Sequence, residues 1–267
     1  MSGLTAIERL RMRSPTSART SGWFQRPETS TCSGRWNQPL VRALVGLRIR
    51  NRSIAVSPDT SNDRFDADFF PDLQLLVEAR PFAMDPGALR GLYFALSGGV
   101  SVGMSYVQVD GDAPGMTSFN FEVDAGYGLV LAEMVELVLS VGVGLDGFDL
   151  ADTTLADFPS ALYSVVRPAV QGRIRILDQL LVAELGLGGR IVWDAGQLQA
   201  QDRFGPEGTS AGGVDFHVGL AGTVDPGFTW AARFAYTGYF LGFNGGIEES
   251  RATDEAIQIW LMIGWAF

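Results

Sequence analysis

The chain has 267 residues, of which 46% are hydrophobic, 33 are glycine and one is cysteine. This composition is typical neither of helical membrane spans nor of a disulfide-bonded scaffold. The formal net charge of −10 argues against a nucleic-acid-binding surface, which requires clustered excess basic charge.

The first 38 residues differ in character from the rest of the chain. They carry six arginines against two acidic residues, are rich in Ser and Thr, and show no sustained periodicity. We predict that residues 1–38 are a disordered leader and that residues 39–267 form the folded domain. The leader lacks the apolar stretch that a secretory signal requires, which a mis-assigned start codon or a truncated upstream sequence would explain. An organellar transit peptide, also rich in Arg and Ser, is the alternative.

From Leu40 onward, apolar and polar residues alternate with the two-residue period of a β-strand, and this pattern recurs ten times. In the first run the odd-numbered positions are apolar, whereas Arg42, Arg48 and Arg50 lie on the opposite face. Each run has about the length, roughly 9 to 11 residues, that a tilted strand needs to cross a bilayer. The ten predicted strands are residues 41–49, 73–80, 92–106, 119–131, 137–145, 166–176, 181–193, 214–222, 228–236 and 257–267.

The apolar faces of these ten runs contain no charged residue. A charge that faces lipid near the middle of a membrane costs about 2–4 kcal/mol, which is a sufficient reason for this exclusion. A soluble β-barrel or sandwich would also alternate, but it would not require every strand to be free of charge on one face. We therefore predict an all-β fold: a closed, antiparallel, transmembrane up-and-down β-barrel of about ten strands, an even number as in single-chain bacterial barrels.

The connections between the predicted strands alternate in length. One end of the barrel has the long connections, which are residues 52–72, 107–118, 146–165, 194–213 and 237–256. The other end has the shorter ones, which are residues 81–91, 132–136, 177–180 and 223–227. Long outer loops and short periplasmic turns are typical of outer-membrane barrels, so we expect the first strand to start on the periplasmic side.

The final segment, residues 257–267, has apolar residues at alternate positions and ends in Phe267. It resembles the closing strand of bacterial outer-membrane β-barrels, in which a terminal aromatic residue is the assembly signal. The resemblance implies that the chain lies in the outer membrane of a Gram-negative bacterium, contacts outer-membrane lipid and lipopolysaccharide, and is inserted by the barrel-assembly machinery. We expect a monomer without a cofactor. We also expect no metal site, because the chain has only one His and one Cys.

The polar faces of the predicted strands define a candidate lumen that contains nine arginines and five acidic residues. A ten-strand barrel is narrow, so we predict that these side chains pair and fill the interior, with a small anion-preferring, porin-like pore as the alternative. If Asp178 and Gln179 form a two-residue turn, Arg173 faces Glu184 across two adjacent strands. The predicted lumen-lining residues are Arg42, Arg48, Arg50, Glu78, Arg80, Glu122, Asp124, Arg167, Arg173, Arg175, Glu184, Arg190, Asp215 and Arg233.

Two short acidic motifs are the candidates for catalysis. Asp110 and Asp112 lie in the connection after the third strand, while Asp215 and His217 begin the eighth strand. This set resembles the Asp-x-Asp and Asp-x-His motifs of the outer-membrane aspartyl proteases. The resemblance implies that Asp215 orients His217 as a base and that Asp110 and Asp112 hold a water molecule. The chain is shorter than that family and matches it only in these motifs. We therefore predict a structural or surface-binding protein that is not an enzyme, with His217 paired to a nearby carboxylate.

Overall fold

The structure is a computed structural model, and it describes residues 39–58, 63–101, 104–105, 115–150, 160–196, 198, 210–224, 227–243 and 249–267. The predicted leader, residues 1–38, lies outside the described residues, so its boundary and its disorder stay predictions. Among the described residues, no helix is long and apolar enough to cross a membrane.

The described residues form ten antiparallel strands, one for each predicted run. A 3-10 turn at Ala88–Gly91 precedes the third strand. The strands are β1 (Val41–Pro58), β2 (Asp63–Ala79), β3 (Leu92–Ser101, continued by Met104–Ser105), β4 (Gly115–Ala132), β5 (Val135–Leu150), β6 (Ala161–Leu177), β7 (Leu181–Asp194), β8 (Ser210–Val224), β9 (Phe228–Gly242) and β10 (Glu249–Ala266).

The sheet closes on itself because each strand pairs with its neighbours in the chain and β1 pairs with β10. Val45 lies opposite Ile263 in this closing ladder. The backbone of Phe267 completes it, since its N–H donates to the carbonyl of Val41 at 2.8 Å and its carbonyl accepts from the N–H of Leu40 at 2.8 Å. Closure gives each described strand a hydrogen-bonded neighbour on both sides, as a sheet in lipid requires. The predicted closed, up-and-down barrel is therefore confirmed.

The barrel exposes apolar side chains and buries charged ones. On β1, Val45 and Leu47 are more than half exposed, whereas Arg48 and Arg50 are buried. This distribution is the reverse of a soluble protein and contradicts the soluble barrel or sandwich considered above. The chain is a transmembrane β-barrel of the bacterial outer membrane, because closed single-chain barrels of an even number of strands with a lipid-facing apolar surface are the structures of that membrane.

The strands extend further toward the long-connection end than predicted. The connection predicted at residues 52–72 is wrong, because β1 continues to Pro58 and β2 begins at Asp63. Likewise, β10 begins at Glu249 and not at residue 257. We interpreted charged residues there as loop residues, but Arg52 and Asp254 are buried partners within the barrel, 2.5 Å apart. With up to 18 residues, these strands exceed the roughly 9 to 11 that cross a bilayer, so their long-connection ends project beyond the hydrocarbon region.

Arg173 lies opposite Glu184 in the ladder between β6 and β7, which confirms the predicted pairing. The turn is one residue longer than predicted, since residues 178–180 connect Leu177 to Leu181. Asp178 adopts a left-handed backbone conformation with φ of 42°. A register shift between Arg175 and Leu177 absorbs the extra residue, so the predicted register holds above the turn.

A charge placed at mid-membrane on the outer face should destabilise the barrel more than the same charge near a turn. Val141, on β5, and Leu131, near the end of β4, are both more than half exposed. We expect Val141→Arg to lower the free energy of unfolding by about 2–4 kcal/mol and Leu131→Arg by about 1 kcal/mol or less. Chemical unfolding from lipid vesicles measures both, and equal costs would contradict the lipid-facing assignment.

Candidate functional site

The barrel interior is the candidate functional site, and it is filled with charged side chains. Among the described residues, nine arginines and nine acidic residues have side chains no more than 13% exposed and pair within the barrel. We divide them into three clusters. The short-turn cluster is Arg42, Arg80, Arg173 and Arg233 with Glu78, Glu136 and Glu184; the central cluster is Arg167 and Arg190 with Glu122, Asp124 and Asp215; the long-loop cluster is Arg48, Arg50 and Arg52 with Asp72, Asp146 and Asp254.

The short-turn cluster is centred on Glu78, which is contacted by three side chains. Arg42 and Arg173 form ion pairs with its carboxylate, the second at 2.7 Å, and the Tyr93 hydroxyl donates to it at 3.0 Å. Arg173 also lies 3.6 Å from Glu184. Glu78 on β2 therefore links side chains of β1, β3 and β6, and Arg173 extends the network to β7 through Glu184.

Two further ion pairs complete this cluster. Arg80 binds Glu136 in a bidentate manner, with nitrogen-to-oxygen distances of 2.6 and 3.0 Å. Arg233 donates to Glu184 at 2.8 Å. Bidentate guanidinium–carboxylate pairs are among the stronger hydrogen bonds in proteins, so the first pair holds the end of β2 to β5. The second pair holds β7 to β9.

The central cluster is organised by Asp215 on β8. Arg167 donates to both carboxylate oxygens of Asp215 at 2.7 and 2.8 Å, and Arg190 donates at 3.1 Å. Arg167 also reaches Glu122 at 2.9 Å and Asp124 at 3.4 Å. Both oxygens of Asp215 are therefore engaged by guanidinium groups.

The long-loop cluster joins β1 to its neighbours and to the far wall. Arg52 binds Asp254 on the adjacent β10, with distances of 2.9 and 2.5 Å. Arg50 reaches Asp146 on β5 at 3.2 Å, and the Tyr239 hydroxyl donates to the same carboxylate at 3.1 Å. Asp146 is therefore the point at which β1, β5 and β9 meet across the lumen.

An apolar layer lies beside this cluster. Tyr163 and Tyr239 stack with ring centroids 4.1 Å apart, and the Arg52 guanidinium lies 5.9 Å from the Tyr163 ring centre. Ala195 and Leu198, in the connection that follows β7, are buried in the same cluster. Both side chains therefore pack into this apolar layer.

Five charged residues that the sequence analysis did not assign to the lumen are buried inside the barrel. They are Arg52, Asp72, Glu136, Asp146 and Asp254. The sequence assigns all five to connections, because they lie beyond the ends of the predicted apolar runs. Their position in the strand alternation could have found them. On β5, for example, Asp146 continues the even-numbered inner face of Gly142 and Gly144. The predicted excess of four positive charges in the lumen is consequently wrong, since the described clusters are balanced.

His217 lies beside a cavity of about 130 Å³ next to the central cluster. Its Nε2 atom is buried and makes no hydrogen bond to a described residue. The predicted carboxylate partner is not provided by Asp215, which instead accepts from Arg167 and Arg190. A Cβ atom at Gly186 would collide with the imidazole, so the glycine on β7 provides the space that the ring occupies.

The remaining predicted site residues lie at the edges of the described structure. Arg175 is half-buried at the short-turn end and donates to the backbone carbonyl of Glu133. Phe267 ends the closing strand, with its side chain largely exposed. Asp110 and Asp112 lie outside the described residues. Within the described residues, no group of acidic, His or Cys side chains is arranged to hold a metal ion.

No protein-family model and no curated protein matches this sequence. Similar solved structures include the outer membrane protease OmpT from Escherichia coli, with 9% identity, a TM-score of 0.43, and coverage of 85% of this chain and 96% of that chain. The toluene transporter TodX of Pseudomonas putida has 8% identity, a TM-score of 0.34, and coverage of 86% and 92%. Ail, the attachment invasion locus protein of Yersinia pestis, has 12% identity, a TM-score of 0.33, and coverage of 84% and 99%.

Removing one partner of a buried ion pair should cost more stability than removing both. Arg52 and Asp254 are both nearly inaccessible, and Phe148 and Tyr163 offer apolar contact to a replacement. We expect Arg52→Met to lower the free energy of unfolding by about 3–5 kcal/mol, because Asp254 then remains buried without its partner. Arg52→Met combined with Asp254→Leu should recover most of this loss. Denaturant titration measures both variants, and equal losses would contradict the pairing.

Proposed function

We propose that this outer-membrane barrel is a structural or surface-binding protein with a closed lumen, and that it is neither a pore nor an enzyme. The observation that carries the proposal is the set of ion pairs that cross the interior. Arg173 on β6 binds Glu78 on β2, and Arg50 on β1 binds Asp146 on β5. Each pair joins strands four positions apart in a ring of ten, so both pairs run from one wall toward the opposite wall.

The charge balance of the clusters supports a closed interior over an anion-preferring pore. The pore alternative depended on an excess of positive charge along the lumen, and the described clusters balance nine arginines with nine acidic residues. A lumen without net charge offers little electrostatic preference to an anion. It does offer each guanidinium group a nearby carboxylate, which is the arrangement that makes buried charge tolerable.

The energetics of opening point in the same direction. A conducting path would have to separate side chains such as Arg167 and Asp215, which are joined by two short hydrogen bonds. Breaking a buried ion pair costs about 3–5 kcal/mol, and a path through the barrel would cross all three clusters. Spontaneous opening would therefore be rare.

The non-enzymatic part of the proposal rests on the surroundings of His217. A base needs a partner that orients its imidazole, and the nearest candidate in the motif, Asp215, is engaged by Arg167 and Arg190. A peptide-cleavage assay in detergent with lipopolysaccharide tests this point, and activity that is abolished by His217→Ala would overturn it.

The proposed partners are those that contact the outer surface and the C-terminal strand of the barrel. We propose that outer-membrane lipid and lipopolysaccharide surround the apolar face, that the barrel-assembly machinery reads Phe267, and that the protein acts as a monomer. Val41, Phe267 and the other residues at the closing seam are already paired within one chain, so closure needs no second copy. Surface binding would then belong to the connections at the long-loop end.

Planar-bilayer recordings test the closed lumen directly. We expect the native protein to give no stable single-channel steps, because the ion pairs obstruct the path. A variant that lacks three of the cross-lumen arginines, Arg50→Ser, Arg167→Ser and Arg173→Ser, serves as the positive control and should conduct with a preference for cations, since its carboxylates remain. Heat-modifiable migration on gels verifies that both proteins are folded. Stable steps from the native protein would refute the proposal.

A further inference from the structure

The charges of the interior balance overall but not at each level. The central cluster has one more acidic residue than arginines, and the long-loop cluster is balanced. The short-turn cluster has one more arginine than glutamates, and Arg175 adds a further positive charge at the mouth beside it. Positive charge is therefore concentrated at the end of the barrel where the strands are joined by short turns.

A cavity of about 80 Å³ opens at this end. Four guanidinium groups line it, those of Arg42, Arg80, Arg173 and Arg175. The acidic groups that face it are Glu78 and Glu184, both buried, and Asp178, which lies exposed on the β6–β7 turn where solvent screens its charge. The remaining charged members of the cluster, Arg233 and Glu136, are already paired with Glu184 and Arg80.

Nε of Arg173 is buried at the cavity and makes no hydrogen bond to a described residue, and the carboxylate of Glu184 lies 3.6 Å from it. Nη2 of Arg42, by contrast, is paired with Glu78. The Arg173 side chain is more than nine-tenths buried, so its donors cannot all turn to bulk water. A buried donor without an acceptor is costly, and the four guanidinium groups outnumber the two buried carboxylates that line the cavity. A bound anion would provide an acceptor and would offset the excess positive charge.

We propose that this cavity, which we call the short-turn pocket, binds a small oxyanion such as phosphate from the periplasmic side. Guanidinium groups suit this chemistry because their planar N–H donors match the oxygens of a phosphate group, and several groups surround the pocket. A cavity needs about 10–15 Å³ of such volume to hold one water molecule, so the pocket has room for a group larger than water. The ligand chemistry is that of a phosphate group, whether it is a free anion or part of a lipid headgroup at the periplasmic surface.

The test uses the full chain refolded in a phosphate-free maltoside detergent, with inorganic phosphate as the probe and chloride at equal ionic strength as the reference. We expect phosphate to raise the unfolding temperature in a saturable manner, and chloride to have no comparable effect. In Arg175→Gln the apparent affinity for phosphate should fall about tenfold or more, because a charge-assisted hydrogen bond is lost. Arg90→Gln is the matched control, since it removes one arginine at the same end outside the pocket, and it should bind phosphate as the native protein does.

A variant that is expected to bind phosphate more tightly strengthens the test. Glu184→Gln removes a carboxylate from the pocket and increases its positive excess, so phosphate should stabilise this variant more than the native protein. A separate arm adds phosphatidylglycerol to the micelles without free phosphate. If phosphatidylglycerol stabilises the native protein but not Arg175→Gln, the lipid headgroup is the source of the bound phosphate group. Equal effects of phosphate and chloride, or equal losses in Arg175→Gln and Arg90→Gln, would overturn the proposal.

Discussion

Lipid solvates neither backbone polar groups nor charges, and this constraint determines the organisation of the whole molecule. Closure of β1 on β10 gives each described strand a hydrogen-bonded neighbour on both sides, which satisfies the backbone. Within the lipid-spanning part of the strands, the outer face then has to be apolar, and charges can only point inward. Once inside, each charge needs a partner, because a buried charge without one is very costly. The ion pairs of the lumen are therefore the necessary counterpart of the uncharged outer face.

Such ion pairs contribute more to the choice of one arrangement than to net stability, because the cost of desolvating two charges offsets much of their attraction. The pairing of Arg173 with Glu184 illustrates this role. The turn between β6 and β7 has one residue more than predicted, yet the ladder returns to the register that places both side chains inside the barrel. A slip by one residue would turn them toward lipid, so the register is strongly specified. The same argument applies to Arg52 and Asp254 at the other end.

The sequence predicted the ten strands and the closed barrel because the exclusion of charge from the lipid face leaves a strict two-residue pattern. The pattern failed where the strands leave the membrane. Asp146 and Asp254 lie just outside the predicted apolar runs, yet they continue the inner face of β5 and β10. The partners across the lumen could not be predicted, since contacts such as Arg50 with Asp146 depend on strand tilt and stagger. For the same reason, the sequence suggested that Asp215 pairs with His217, whereas in the structure Asp215 accepts hydrogen bonds from Arg167.

The central claim is that the side chains seal the lumen, and thiol accessibility measures this most directly. Ala235 lines the cavity beside the central cluster. In a Cys32→Ser background, which removes the one native cysteine, Ala235→Cys places a thiol there, and Asp178→Cys places one on an exposed turn. The account predicts that a charged methanethiosulfonate reagent labels the turn cysteine quickly and the lumen cysteine only after unfolding. Rapid labelling of the lumen cysteine in the folded barrel would contradict it.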